Sequence, residues 1–76
     1  MSRMEFLTSD LQLASYLAAL GHHPVRVEGP LQRRVFVFRE VPQDDVSSYF
    51  RGTRAVSPQR LFTAYRTLKR QLFQPV

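Results

Sequence analysis

The spacing of apolar positions changes period along the chain, and each change marks an element. Leu13, Ala14, Leu17 and Leu20 recur at helical spacing, with Tyr16 beside them. Ser9 and Gln12 have the S-x-x-Q spacing of a capping box, so a first helix is predicted to open at Ser9, with Asp10 well placed at its positive end. Gly21 is its expected left-handed stop. Ala14, Ala18 and Ala19 are small and permit close approach of another element. Upstream, Met4-Glu5-Phe6-Leu7 reads as a stub of strand or an apolar anchor. The period then drops to two. Val25 to Glu28 alternates valines with Arg26 and Glu28, Gly29 to Arg33 forms a hairpin connection, and Arg34 to Arg39 forms the second strand. At its centre, valines (Val35, Val37) point one way and phenylalanines (Phe36, Phe38) the other, so this strand needs cover on both faces. Two strands alone are marginal. Either helices cover both faces, or a third strand, which a second chain can supply, completes the sheet.

After the Val41-Pro42 break the helical period returns. Gln43 to Phe50 reads as a short helix with Asp44 and Asp45 in its first turn and Val46, Tyr49 and Phe50 as its apolar side, ended by Gly52. Thr53 to Val56 is a connector. Ser57 and Pro58 are a good cap and first-turn pair for a long helix to Phe73. On it Leu61, Ala64, Tyr65, Leu68 and Leu72 share one face, while Arg60, Arg66, Lys69 and Arg70 fall on its flank or back. Because this helix can close a core and present cations at once, it is expected to organise the fold. Gln74-Pro75-Val76 is expected to fray. The fold class is α+β: one small domain over 1–76, ordered over about 6–73, in the order helix, β-hairpin, short helix, long helix.

Charge sharpens this picture. Residues 1–50 hold five arginines against six acids, a balance of −1; residues 51–76 hold six cations and no acid, a balance of +6. A one-signed surface attracts polyanions or an acidic protein partner. Ten of the eleven cations are arginine, which GC-rich coding produces as readily as function does. There is no cysteine, hence no disulfide and no thiolate chemistry. A chain of this size hides only about 60% of the surface its unfolded form exposes, so stability must come from apolar packing or from a second copy. No segment approaches the roughly 20 apolar residues of a membrane span. The expected location is the cytoplasm.

The runs TSDLQLASYLAALGH, RRVFVFRE and SPQRLFTAYRTLKRQL resemble a small family of bacterial and phage-associated domains of unknown function. The similarity rests on Asp10 after a Thr-Ser opening, Ala14 and Leu17, Gly21-His22, the Phe36/Phe38 strand, and Tyr65-Arg66 with Leu68-Lys69. It covers residues 6–73. It implies an α-β-β-α-α order and a place in mobile-element or viral genomes, and it carries over no activity.

Catalytic signatures are scarce. Adjacent His22 and His23 point in different directions and do not form a chelating pair; His22 is expected to serve the carbonyls at the end of the first helix. Asp44-Asp45 is a helix N-terminal pair before it is an acid/base pair. The three glycines each have a turn to serve, which leaves no phosphate loop. The expectation is no enzyme, no cofactor and no metal. Arg51, Arg54, Arg60, Arg66, Lys69 and Arg70 are the candidate nucleic-acid contacts, arginine being suited to bidentate anion binding. The second and third helices superficially resemble a helix-turn-helix, in which Gln59, Arg60 and Thr63 would face base edges, though the connector is longer than the usual three or four residues. The RRVFVFRE strand lacks the glycines of an RNA-stacking strand, and Phe36 and Phe38 read as core. The leading expectation is thus a small basic accessory domain that binds nucleic acid. The alternative is a protein-interaction module or phage-type modulator of a host protein, acting on an acidic surface or as a homodimer.

Overall fold

The computed structural model describes residues 4–73; the expected fraying at Gln74–Val76 lies outside them. The elements are β1 (Glu5–Thr8), α1 (Leu11–Ala19), β2 (Arg26–Glu28), β3 (Val35–Arg39), α2 (Gln43–Arg51) and α3 (Pro58–Phe73), with a short 3-10 turn, Leu31–Arg33, inside the hairpin connection. The architecture is α+β, with three helices and a three-stranded antiparallel sheet of order β1-β3-β2. The missing third strand comes from this chain: the Met4–Leu7 stub, extended to Thr8, pairs Phe6 with Phe38 and Leu7 with Val37.

The cover on β3 is not two layers of helix. Phe36 and Phe38 face the helices and join Leu13, Leu17 and Leu68 in the core. Val37 faces the other way, yet it too is 0% exposed. Arg26 on β2 lies directly across from Val37 and reaches over β3 to Glu5 on β1 through two hydrogen bonds of 3.0 Å; it also bonds Glu28. The arginine stem therefore roofs Val37 while its charge stays in water. Leu7 flanks Val37 from the opposite strand.

The organising element is α1 rather than α3. Every residue from Leu13 to Ala19 is buried, whereas α3 buries only Leu68 completely. The small surface of Ala14, Ser15, Ala18 and Ala19 lets another helix come close, and α3 is the helix that packs most extensively on α1. The Ser15 hydroxyl, which has no access to water, donates to the Leu11 carbonyl at 2.7 Å. The N-cap of α1 is Asp10, one residue later than the capping-box spacing suggests. Its Oδ1 accepts from the N–H groups of Gln12 (2.9 Å) and Leu13 (3.3 Å). Thr8 Oγ1 accepts from the Asp10 N–H at 3.0 Å. Because β1 runs through Thr8, Ser9 is left as the link between strand and helix.

Gly29 has φ +93°, and a Cβ there would lie 2.6 Å from the Arg33 carbonyl oxygen. Only glycine lets the hairpin connection fold back this tightly. Gly52 caps α2 in the left-handed region, as expected. The packed side of α2 is rotated by part of a turn from the expected one: Val46 and Tyr49 pack against the core as expected, but Phe50 is exposed while Asp45 and Ser48 are buried. Buried hydrogen bonds explain the rotation. Ser48 Oγ donates to the Asp45 carbonyl at 2.8 Å, so Tyr16 Oη donates in turn to Ser48 Oγ at 2.7 Å. Among the described residues no helix is long and apolar enough to cross a membrane.

Candidate nucleic-acid interface

Pro58 occupies the first position of α3 and the Leu61 N–H returns to the Ser57 carbonyl. From there the helical repeat sorts the side chains. Leu61, Ala64, Leu68 and Leu72 turn toward the core and Tyr65 sits at its margin. Arg66, Lys69 and Arg70 lie exposed within about one turn of one another on the outer face. Among the described residues no carboxylate lies in ion-pair range of Arg51, Arg60, Arg66, Lys69 or Arg70, while Glu5, Glu28 and Asp45 are all engaged elsewhere. Lys69 Nζ stands 6.0 Å from the centroid of the Tyr65 ring, at the outer limit of a cation–π contact.

The six candidate cations do not form one patch. Arg60 lies on another side of α3, bordering a hollow of about 370 Å³ with His23, Gln59, Thr63 and the alanines at the end of α1. Arg51 ends α2. Arg54 stands apart in kind: its guanidinium donates to Asp45 Oδ1 at 2.6 Å. Asp45 Oδ2 accepts at 2.6 Å from Nε2 of His22, so that nitrogen carries its proton. The ring of His22 thus meets a carboxylate and not the α1 carbonyls, which are served instead by its backbone N–H, bonded to Leu17 at 2.9 Å. The hydrogen bond from His22, then that from Arg54, holds the Asp45 carboxyl below the usual carboxylate range against the opposing effect of burial. This cluster ties the end of α1, the first turn of α2 and the connector to α3. Arg54 is a clamp within the fold. Among the described residues no three His, Asp or Glu side chains gather as a metal site.

A helix-turn-helix requires its two helices to pack on each other. Here α2 and α3 each pack on α1, and a cleft of about 390 Å³ separates them. Tyr16 lies at its floor, with Tyr49 on one wall and Leu61, Phe62 and Tyr65 on the other. The Gln59/Arg60/Thr63 surface faces the hollow beside α1 instead of projecting as the start of a recognition helix.

Two residues that the sequence reading left out border the outer face, Phe62 from the rim of the cleft and Phe73 from the end of α3. Phe62 is 65% exposed and Phe73 is 68% exposed. Both fall outside the Leu61-to-Leu72 stripe, and large apolar residues on the polar side of an amphipathic helix were the available signal. The chain matches no protein-family model, no curated protein and no solved structure.

Proposed function

We propose that this chain is a small, basic, non-catalytic accessory domain of the cytoplasm that binds nucleic acid through the phosphate-facing cations of α3. The observation that carries this reading is the group Arg66, Lys69 and Arg70, exposed and, among the described residues, without carboxylate partners, in a segment that has no Asp or Glu. Arg54 leaves the contact set because Asp45 holds it. Arg51 and Arg60 flank the group at a distance and add to the field. A place in mobile-element or viral genomes, implied by the family resemblance, suits such a role.

Fluorescence anisotropy with labelled oligonucleotides tests it. With three phosphate contacts, the logarithm of affinity should fall against the logarithm of salt with a slope of about −2 on a single strand and about −2.7 on a duplex. The Arg66→Glu/Arg70→Glu variant should abolish binding with its circular dichroism unchanged. Failure of the wild type to bind any nucleic acid at low salt defeats the reading.

A second reading, a protein-interaction module, is favoured by the apolar cleft between α2 and α3, which would take an apolar side chain of the partner while the cations of α3 meet its acids. The argument for a second copy was the two-faced strand, and Phe36, Val37 and Phe38 are all fully buried within one chain; a homodimer therefore needs a different surface. Light scattering of the purified protein measures whether one forms.

A further inference from the structure

Phe62, Arg66, Lys69 and Phe73 are not scattered over the back of α3. At 3.6 residues per turn they fall within an arc of about 60°, and the two rings stand about 16 Å apart along the axis with both cations between them. All four side chains are exposed. From this arrangement, and resting on the nucleic-acid reading above, we propose that the stripe is a track for single-stranded nucleic acid, the rings taking base faces and the cations taking the phosphates between.

Three observations select this occupant. First, the stripe has the charge of a polyanion's partner, with no Asp or Glu anywhere in residues 51–76. Second, a helix that docks in a protein groove presents apolar side chains at i, i+3 or i+4, and i+7. Counting from Phe62, Tyr65 at i+3 turns into the cleft, and the positions left on this arc, Arg66 at i+4 and Lys69 at i+7, are cations, so the stripe itself offers a groove no continuous apolar run. Third, a duplex hides its base faces by stacking them on one another. Exposed rings gain nothing from a duplex, whereas an unpaired strand offers a π-face at every base. Beyond Phe73 the track meets further positive charge. A hollow of about 500 Å³ is lined by Phe73, Leu72, Arg33 and Arg34. Arg34 donates to the Gln71 carbonyl at 3.1 Å, and its Nε is buried with no hydrogen-bond partner. A strand leaving the Phe73 ring would pass both arginines.

The test uses the intact chain with fluorescein-labelled oligo-dT, labelled oligo-U, and the oligo-dA·oligo-dT duplex, all at one low salt concentration. Either single strand, or both, should bind more tightly than the duplex. Phe62→Ala and Phe73→Ala should each weaken single-strand binding by roughly fivefold to a hundredfold, with thermal midpoints close to wild type because both rings are exposed. Phe62→Leu and Phe73→Leu keep an apolar side chain without a ring, and they carry the test should the alanine variants fold poorly. Leucine variants that bind like wild type would overturn the inference. So would equal affinity for strand and duplex with the phenylalanine variants unaffected; if Arg66→Glu/Arg70→Glu still weakened binding in that case, the phosphate reading would survive alone. No binding to any of the three probes overturns both.

Discussion

Asp45→Asn is the substitution from which this fold has most to lose for least change in shape. The Asp45 side chain is 11% exposed and accepts two charge-assisted hydrogen bonds, from His22 and Arg54. Asparagine keeps an oxygen for Arg54 and turns an NH₂ toward His22, whose ring must switch tautomer to accept it, so the negative charge that strengthens both bonds is lost. A hydrogen bond to a charged group contributes about 1.5–3 kcal/mol. The Arg54 partner is partly exposed, and its share is discounted for screening. The expected loss is about 2–3 kcal/mol, in a domain whose whole stability is of order 5–10 kcal/mol. For a domain of this size that lowers the thermal midpoint by roughly 10–20 °C. The pH dependence follows from the direction of the shift. The carboxyl titrates lower in the folded chain than in the unfolded one. Its contribution is therefore complete above the unfolded value of about 3.9 and is lost as pH falls toward the depressed folded value. Thermal melts followed by circular dichroism between about pH 7 and pH 3 should show wild type and Asp45→Asn converging in acid. Equal midpoints at neutral pH, or parallel curves into acid, would refute the reasoning. Arg54→Met should act as a milder version and leave oligonucleotide affinity unchanged, which separates the clamp from the contact residues.

Leu68→Ala removes the one fully packed side chain of α3 and should cost about 2–5 kcal/mol; a midpoint within a degree or two of wild type would mean that α3 is not seated on the core. Ala14→Leu should cost about 1–3 kcal/mol by overpacking the core around α1, read by urea denaturation, and an unchanged midpoint would mean that this position has room to spare. Gly29→Ala should lower the thermal midpoint, because its Cβ meets the Arg33 carbonyl oxygen. Arg26→Met should keep Val37 roofed and melt near wild type, whereas Arg26→Ala uncovers it and should melt lower; identical melting of the pair would refute the role given to the stem.

Features carried by local pattern could be read along the chain. The heptad-like stripe of α3, the valine and phenylalanine alternation of β3, and the turn glycines all lie within a few residues of what they determine, and all stand where expected. Features that join distant residues could not be read this way. His22 and Asp45 are 23 positions apart, and adjacent aspartates at a helix start look alike until one of them meets a histidine. In sequence Phe50 reads as part of the apolar side of α2, and Asp45 and Ser48 look like surface residues; buried hydrogen bonds reverse that preference. Arg26 and Glu5 read as solvent-facing strand positions, and nothing in their neighbours says that an arginine stem will stand in for a missing layer. The central place of α1 was hidden for a related reason. Alanine and serine contribute little to an apolar pattern, yet their smallness is what lets α3 come close.

The outer face of α3 conflicts with its own local stability. Arg66 and Arg70 stand at i, i+4, where like charges cost a few tenths of a kcal/mol and a glutamate would gain as much. Lys69 crowds the same turn, and two phenylalanine rings on this face remain in water when the core is already closed by Leu61, Ala64, Leu68 and Leu72. None of these choices helps the chain to fold. Two clusters elsewhere are paired: Arg26 with two glutamates, and Asp45 with a histidine and an arginine. Against those two paired clusters, the cations along this face of α3 stand without a carboxylate partner among the described residues, which is what the proposed anion contact requires. That contrast, more than net charge alone, is the reason to look for an anion on α3. It also predicts which substitutions will part stability from binding: Arg66→Glu should preserve or slightly raise the melting temperature by relieving repulsion while it weakens oligonucleotide binding. A variant that lost both together would mean that Arg66 supports the fold, and the case for an external anion at that position would fail.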